Sequence, residues 1–163
     1  MTEHQILVVE REFPYPREVL FEAFTDPGKM SQWRGSPGWH VDQSTITSDL
    51  RTGGRHHHDK VRESDGHVVG TDAVFTEFFA PDVFVARQRI TGDDGINPDV
   101  PLELRVEFTK LGRRGHTLVR IIQGPYDPSQ SQLHTDGWAL ELERLDAWLQ
   151  ANATGRATDG GRR

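Results

Sequence analysis

Residues 53–60 read GGRHHHDK, three consecutive histidines between a glycine pair and an aspartate–lysine pair. Histidine ordinarily titrates near 6.5, so it can take or give a proton, hydrogen-bond a carbonyl or hydroxyl, or ligate a metal. Side chains alternate along a strand. His56, His58 and Lys60 therefore belong to one face, and His57 and Asp59 to the other. A metal site needs three or four ligands. His56-x-His58 supplies two on one face, and Glu77 or Asp72 would have to supply a third. Nothing in the sequence brings those carboxylates close, and no metal or cofactor is expected. The competing reading of the same stretch is a solvated strand edge carrying Arg55, Asp59 and Arg62.

Other constellations carry less. Ser129 and Ser131 lie near His134 and Asp136, but nearness in sequence is not triad geometry. No Gly-x-Ser-x-Gly elbow is present, and the serines read as helix caps. Arg113-Arg114 reads as a solvated hairpin turn. The chain has neither a P-loop nor a dinucleotide fingerprint. It has no cysteine, which excludes disulfides, thiolate ligands and cysteine nucleophiles.

The elements that must position these residues follow from patterning. The 163 residues fit one domain over 1–150 with a disordered tail over 151–163. Gln5–Phe13 alternates as a strand. Pro14 and Pro16 end it, and a helix follows from Arg17, with Val19, Leu20, Ala23 and Phe24 on one side. Thr25-Asp26-Pro27 breaks that helix and caps a second near Gly28–Trp33. Strands are expected at Val41–Ser48, Arg55–Arg62, Gly70–Phe79, Val83–Thr91, Leu102–Leu111 and Thr117–Gln123, mostly joined by short turns. A long helix over Ser131–Gln150 carries an apolar stripe of Leu133, Trp138, Leu142, Leu145 and Leu149. Trp33 and Trp39 flank a Gly/Pro-rich loop, where each would either pack on the sheet or gate a pocket mouth. The order gives an α+β fold: a curved antiparallel sheet gripping a C-terminal helix, with two short helices after the first strand. A net charge of −6 with scattered basic residues argues against a nucleic-acid platform. The absence of a signal-like N-terminus or a membrane-length apolar run points to a cytoplasmic protein without membrane insertion.

FPYPREVLFEAFTDPGKMSQW resembles the opening of the SRPBCC (START-like, helix-grip) superfamily, in particular the family of heat-shock-protein ATPase activator homologues. Leu50–Gly54 is similar to that family's D-x-R-x-G-G turn. Phe75-Thr76-Glu77-Phe78 with Ala80-Pro81-Asp82 resembles its Y-x-E-I … P-E-R stretch. His134-Thr135-Asp136-Gly137-Trp138 with Leu142 and Leu145 resembles its H-x-x-G-W … L-x-x-L helix. The resemblance implies a hydrophobic cavity between sheet and helix. It also implies that His56 and His58 look inward where relatives carry apolar or aromatic residues, and that Ala86 and Gln88 stand where relatives have aromatics. Such a cavity would be wide and polar. His56, His58 and Gln88 would hydrogen-bond a ligand, and Phe84, Ala86, Val119, Ile121 and Trp138 would pack its apolar parts. The function expected is binding of a hydrophobic, oxygen-rich, polyketide-like small molecule for sequestration, self-resistance or biosynthesis. The alternatives are a cyclase- or hydratase-type enzyme with His56 or His58 as general base, and a chaperone-associated interaction module.

Overall fold

In a computed structural model, residues 4–112 and 114–160 are described, with side chains through Ala153 except at 113. Arg113 of the expected hairpin turn and residues 161–163 of the expected tail lie outside them. The elements are β1 (Gln5–Phe13), α1 (Arg17–Thr25), α2 (Pro27–Trp33), β2 (Trp39–Ser48), β3 (Arg55–Arg62), β4 (Val68–Phe79), β5 (Val83–Thr91), β6 (Leu102–Lys110), β7 (Thr117–Tyr126) and α3 (Pro128–Gly160). One seven-stranded sheet runs β1-β7-β6-β5-β4-β3-β2, with every pair antiparallel. Six strands form a meander, and β1 closes onto β7. This is the expected α+β helix-grip arrangement.

Local chemistry explains the boundaries. Asp26 caps α2, its carboxylate accepting from Lys29 N at 3.0 Å, with Pro27 in the first turn. Asp127 starts α3 three residues before the expected point, accepting from both Ser129 N and Ser129 Oγ. The helix then continues beyond Gln150 to Gly160.

Strand alternation sorts the sheet into two faces. Phe75, Phe84, Ala86, Leu104, Val106, Phe108, Val119 and Ile121 are buried on the inner face. Asp72, Val74, Arg87 and Arg89 are exposed on the outer one. α3 lays Trp138, Leu142, Leu145 and Leu149 onto the inner face. α1 and α2 plug one end of the grip. Phe21 and Phe24 meet Phe84 and Phe108 edge-on or tilted, and Trp33 Nε1 donates to Ala23 O at 2.8 Å. Trp33 is therefore core.

Leu145 is fully buried in this cluster. Leu145→Ala should cost about 2–5 kcal/mol of unfolding free energy, measured by urea denaturation. A loss below about 1 kcal/mol would mean that α3 does not seal the core.

Candidate functional site

The glycine pair fixes where the histidines point. Gly53 sits at φ +85°, and a Cβ on Gly54 would fall 1.9 Å from Asp49 O, so neither position suits another residue. Gly53 N donates to Phe75 O, and Phe75 N donates to Gly54 O. That exchange sets the β3–β4 register, Arg55 opposite Val74 and His56 opposite Ala73. Phe75 is on the inner face, so His56 and His58 face inward as well. His57 falls on the outer face between two carboxylates, Asp72 Oδ1 at 2.8 Å and Asp59 Oδ1 at 2.9 Å. β3 lies between β2 and β4, so the histidine strand is not a sheet edge. Asp72 is committed to His57, and Glu77 pairs with Arg105 at 3.3 Å. Neither joins His56 and His58, and no group of three His, Asp or Glu side chains able to hold a metal occurs among the described residues.

His58 looks into a cavity of about 310 Å³ between the sheet and the first turns of α3. Its apolar walls include Val69, Ile90, Trp39 and Trp138, and its polar lining includes Arg34, His58, Lys60, Gln88, Gln123 and Tyr126. A smaller void of about 30 Å³ continues inward, bounded by His56, Ala73, Phe75, Phe84, Ala86 and Leu104. Arg34, His58 and Gln88 border both spaces and form the neck between them. The neck exists because small side chains stand between large ones. His56, Ala73 and Gln88 lie in one row across the sheet, and His58, Thr71 and Ile90 in the next. The β3 and β5 side chains thus face each other over two strand spacings, roughly 10 Å.

A connected polar network lines this wall. Indole N–H only donates, so Trp138 Nε1, 2.8 Å from Gln123, identifies the Gln123 atom there as the carbonyl Oε1. Tyr126 O–H donates to the same oxygen at 2.7 Å. The Gln123 Nε2 amide must then donate to Gln88 Oε1, also at 2.8 Å. Gln88 Nε2 has no protein acceptor among the described residues, although Gln88 is only 7% exposed. The Nε2 group is not one of the fully buried unpaired atoms, so it opens onto the cavity, where water or a ligand accepts from it.

The histidines form a second chain. His56 Nε2 and His58 Nδ1 are 2.8 Å apart, and His56 Nδ1 lies 3.1 Å from Ser48 Oγ. One proton must occupy the space between the rings, so both cannot be imidazolium. Burial, reinforced by the Arg34 charge, lowers His56 to about 4. The same two causes push His58 well below its ordinary value. Burial also opposes charge on His57, but its hydrogen bond and charge pairing with Asp72, with help from Asp59, raise it overall.

Glu141 of α3 anchors the opposite wall. Its Oε1 accepts from Arg34 Nε at 2.9 Å and Gly35 N at 2.7 Å, and it is 6% exposed. Burial resists its ionisation, but the Arg34 and Lys60 charges and these hydrogen bonds prevail and hold the carboxyl below its ordinary value. The Arg34 guanidinium stacks 4.8 Å from the Trp138 ring centroid.

Of the residues singled out from sequence, His58, Gln88 and Trp138 line the cavity. His56, Phe84 and Ala86 line the inner void. Val119 and Ile121 are fully buried in the core and border neither space. Ser129 and Ser131 make no hydrogen bond to His134 among the described residues; its ring stacks on Tyr126 at 4.6 Å. Arg34, Glu141, Gln123 and Tyr126 were not foreseen. Gln123 had a usable signal, since it continues the inward alternation of Val119 and Ile121. Arg34 sits in an irregular loop and Glu141 beside an apolar helical stripe, where no periodicity marks them.

The sequence pattern of the family described as Activator of Hsp90 ATPase homolog 1-like protein matches residues 14–150. Curated proteins yield no match. Solved structures with the same fold include a protein from Arthrobacter aurescens, with TM-score 0.75, 21% identity and coverage of 90% of this chain and 86% of that one. An AHSA1 protein from Silicibacter pomeroyi has TM-score 0.74 at 23% identity, covering 91% and 99%. An AHSA1-like protein from Aeromonas hydrophila has TM-score 0.72 at 22% identity, covering 91% and 94%.

Two outcomes follow from the site's electrostatics. Breaking a buried ion pair by removing one partner costs about 3–5 kcal/mol, so Glu141→Leu should lower unfolding free energy by that order, measured in urea. The pH dependence has a definite sign. His56 and His58 bind protons more weakly folded than unfolded, so stability is lost as pH falls from about 6.5 towards 4, by up to ~1.4 kcal/mol per pH unit for each titrating ring. His57, with a raised folded value, acts oppositely: its contribution is complete below about 6.5 and is lost as pH rises through its folded value. Between pH 7 and 4.5, His58→Phe should show a shallower decline in unfolding free energy than the parent. An equal or steeper decline would mean that His58 is not held neutral by burial.

Proposed function

The chain belongs to the family of Activator of Hsp90 ATPase homolog 1-like proteins, and from that premise we propose that it binds a hydrophobic, oxygen-rich small molecule between its sheet and its C-terminal helix. The helix-grip scaffold is of a ligand-binding kind, and no helix among the described residues is long and apolar enough to cross a membrane. A polyketide-like metabolite, held in the cytoplasm for sequestration, self-resistance or biosynthesis, matches the lining. The observation that carries this reading is the neck: two buried polar side chains, His58 and Gln88, and the half-buried Arg34, standing between a mixed polar and apolar cavity and a mainly apolar inner void. A protein under selection only for stability would fill such positions with apolar residues, because each buried polar group must find a partner.

An enzyme with a histidine base is the second reading, and the chain Ser48–His56–His58 favours it. The shift in His58 weighs against it. A general base works best with a pKa near the operating pH, and burial with Arg34 has moved His58 far below that. Such an imidazole is well suited to hydrogen bonding as a neutral ring and poorly suited to taking a proton.

Native mass spectrometry of the protein purified from its natural cells should detect the chain carrying a small-molecule mass. His58→Phe should fold and lose that adduct, whereas His57→Ala should retain it. Turnover of the bound compound would favour the enzyme. Co-purification of a chaperone with no small molecule bound would favour an interaction module.

A further inference from the structure

We infer that the ligand is an organic anion that enters acid end first, its carboxylate or comparably acidic oxygen seated at the neck on N–H groups of Arg34, Gln88 and His58. This rests on the binding reading above and names the chemistry that the site would select.

Three nitrogen-bearing groups at the neck, Arg34 Nη, Gln88 Nε2 and His58 Nε2, have no protein partner among the described residues. The amide orientation of Gln88 is fixed through Gln123 by the Trp138 N–H, which leaves the Nε2 group of Gln88 directed away from its partner. Arg34 uses only Nε on Glu141, and no hydrogen bond among the described residues uses Nη1 or Nη2. The guanidinium plane is nonetheless held firmly, between the Glu141 carboxylate and the Trp33 and Trp138 rings. His58 Nδ1 is engaged by His56, and Nε2 has no protein partner among the described residues. If Ser48 O–H donates to His56 Nδ1 and His56 Nε2–H donates to His58 Nδ1, the chain leaves His58 Nε2–H as a donor. An acceptor-only group, which a carboxylate is, satisfies all three at once.

The charges agree. Lys60, on the same strand face, makes no ion pair among the described residues; its ammonium stands 5.7 Å from the Trp39 ring. Its charge depresses His58 and helps keep Glu141 ionised, so it acts on the neck directly. Three carboxylates also border the cavity: Glu141, Asp93 and Asp136. Glu141 is committed to Arg34 and Gly35, Asp93 accepts from Gly95 N, and Asp136 accepts from Gln132 Nε2. Asp136 is exposed at the mouth, where water screens it. Asp93 keeps its charge as well, but that charge acts on Tyr126 and His134, whereas the positive charge of Lys60 reaches His58 and Glu141 at the neck. A neutral ligand would leave Lys60 without a counter-charge and give the Arg34 Nη groups a weaker acceptor than a carboxylate.

Titration calorimetry at pH 7.5 with 1-naphthoate and its neutral isostere 1-naphthamide tests this, with uncharged Nile red reporting on the cavity itself. Naphthoate should bind the parent protein at least tenfold more tightly than naphthamide. Gln88→Glu keeps the acceptor for Gln123 and replaces the free amide by a carboxylate, so it should abolish the naphthoate preference while its urea transition stays cooperative, and the outer-face His57→Ala should keep the preference. Lys60→Met, at a half-buried position, should weaken naphthoate about tenfold and leave naphthamide unchanged. Equal affinity for the two naphthalenes, or an undiminished preference in both Gln88→Glu and Lys60→Met, overturns the inference while the binding reading stands. Failure of naphthoate, naphthamide and Nile red alike overturns both.

Discussion

The cavity depends on one buried carboxylate. Glu141 ties the loop after α2 to α3 through Arg34 Nε and Gly35 N. Arg144, one helical turn further, donates to Gly35 O and Trp39 O and fastens the same loop again. Without that pairing the half-buried Arg34 guanidinium would lose its counter-charge, and only the Arg144 hydrogen bonds would tie the helix to this loop. The pair sets the distance between α3 and the inner sheet face at the cavity end. It also orients the guanidinium over Trp138 and supplies part of the field that keeps His56 and His58 neutral. Further along the helix the grip is mainly apolar, through Leu142, Leu145 and Leu149, with one part-buried ion pair from Arg11 to Asp146 at 2.9 Å. The molecule therefore has a closed end held mainly by burial and an open end held by charge-assisted hydrogen bonds, and the cavity lies at the open end.

Polar residues on an inner sheet face usually signal a cost, and the way this chain distributes that cost is informative. Gln123 uses three of its four hydrogen-bonding positions: its carbonyl accepts two hydrogen bonds and its amide donates one to Gln88. Each of these contacts removes a freedom from the next residue, so the network ends in a single amide of known orientation. Fully satisfied polar networks rigidify a core. Here the unused positions lie on residues that line the cavity: one N–H of Gln123, the Nε2 group of Gln88, the Nη groups of Arg34 and Nε2 of His58. That asymmetry separates a binding wall from a structural network.

Much of the fold was legible because period and punctuation agree. Arg55–Arg62 and Val83–Thr91 have the expected bounds, since the Gly53-Gly54 turn and Ala80-Pro81-Asp82 interrupt the alternation cleanly. The inward direction of His56 and His58 follows from the two-residue period and the glycine turn. The long helix begins three residues early because the Asp127 side chain, rather than either serine, organises its first turn. The site was legible only in part. Val119 and Ile121 share a face with Gln123, but the cavity ends before reaching them, and alternation reports a face without its depth. Arg34 and Glu141 lie 107 positions apart. No local pattern couples them, so the pair on which the cavity depends could be found only in three dimensions.

The central claim is that the Gln88 amide is a preorganised donor facing a ligand, and its own resonances test that most directly. In ¹⁵N-labelled protein titrated with 1-naphthoate, the account predicts a saturable shift of the Gln88 side-chain amide together with the Trp138 indole N–H, while the His57 ring on the outer face stays unmoved. A titration that saturates by calorimetry but leaves both the Gln88 and Trp138 signals in place, or that shifts the outer-face His57 and Asp72 instead, would contradict it.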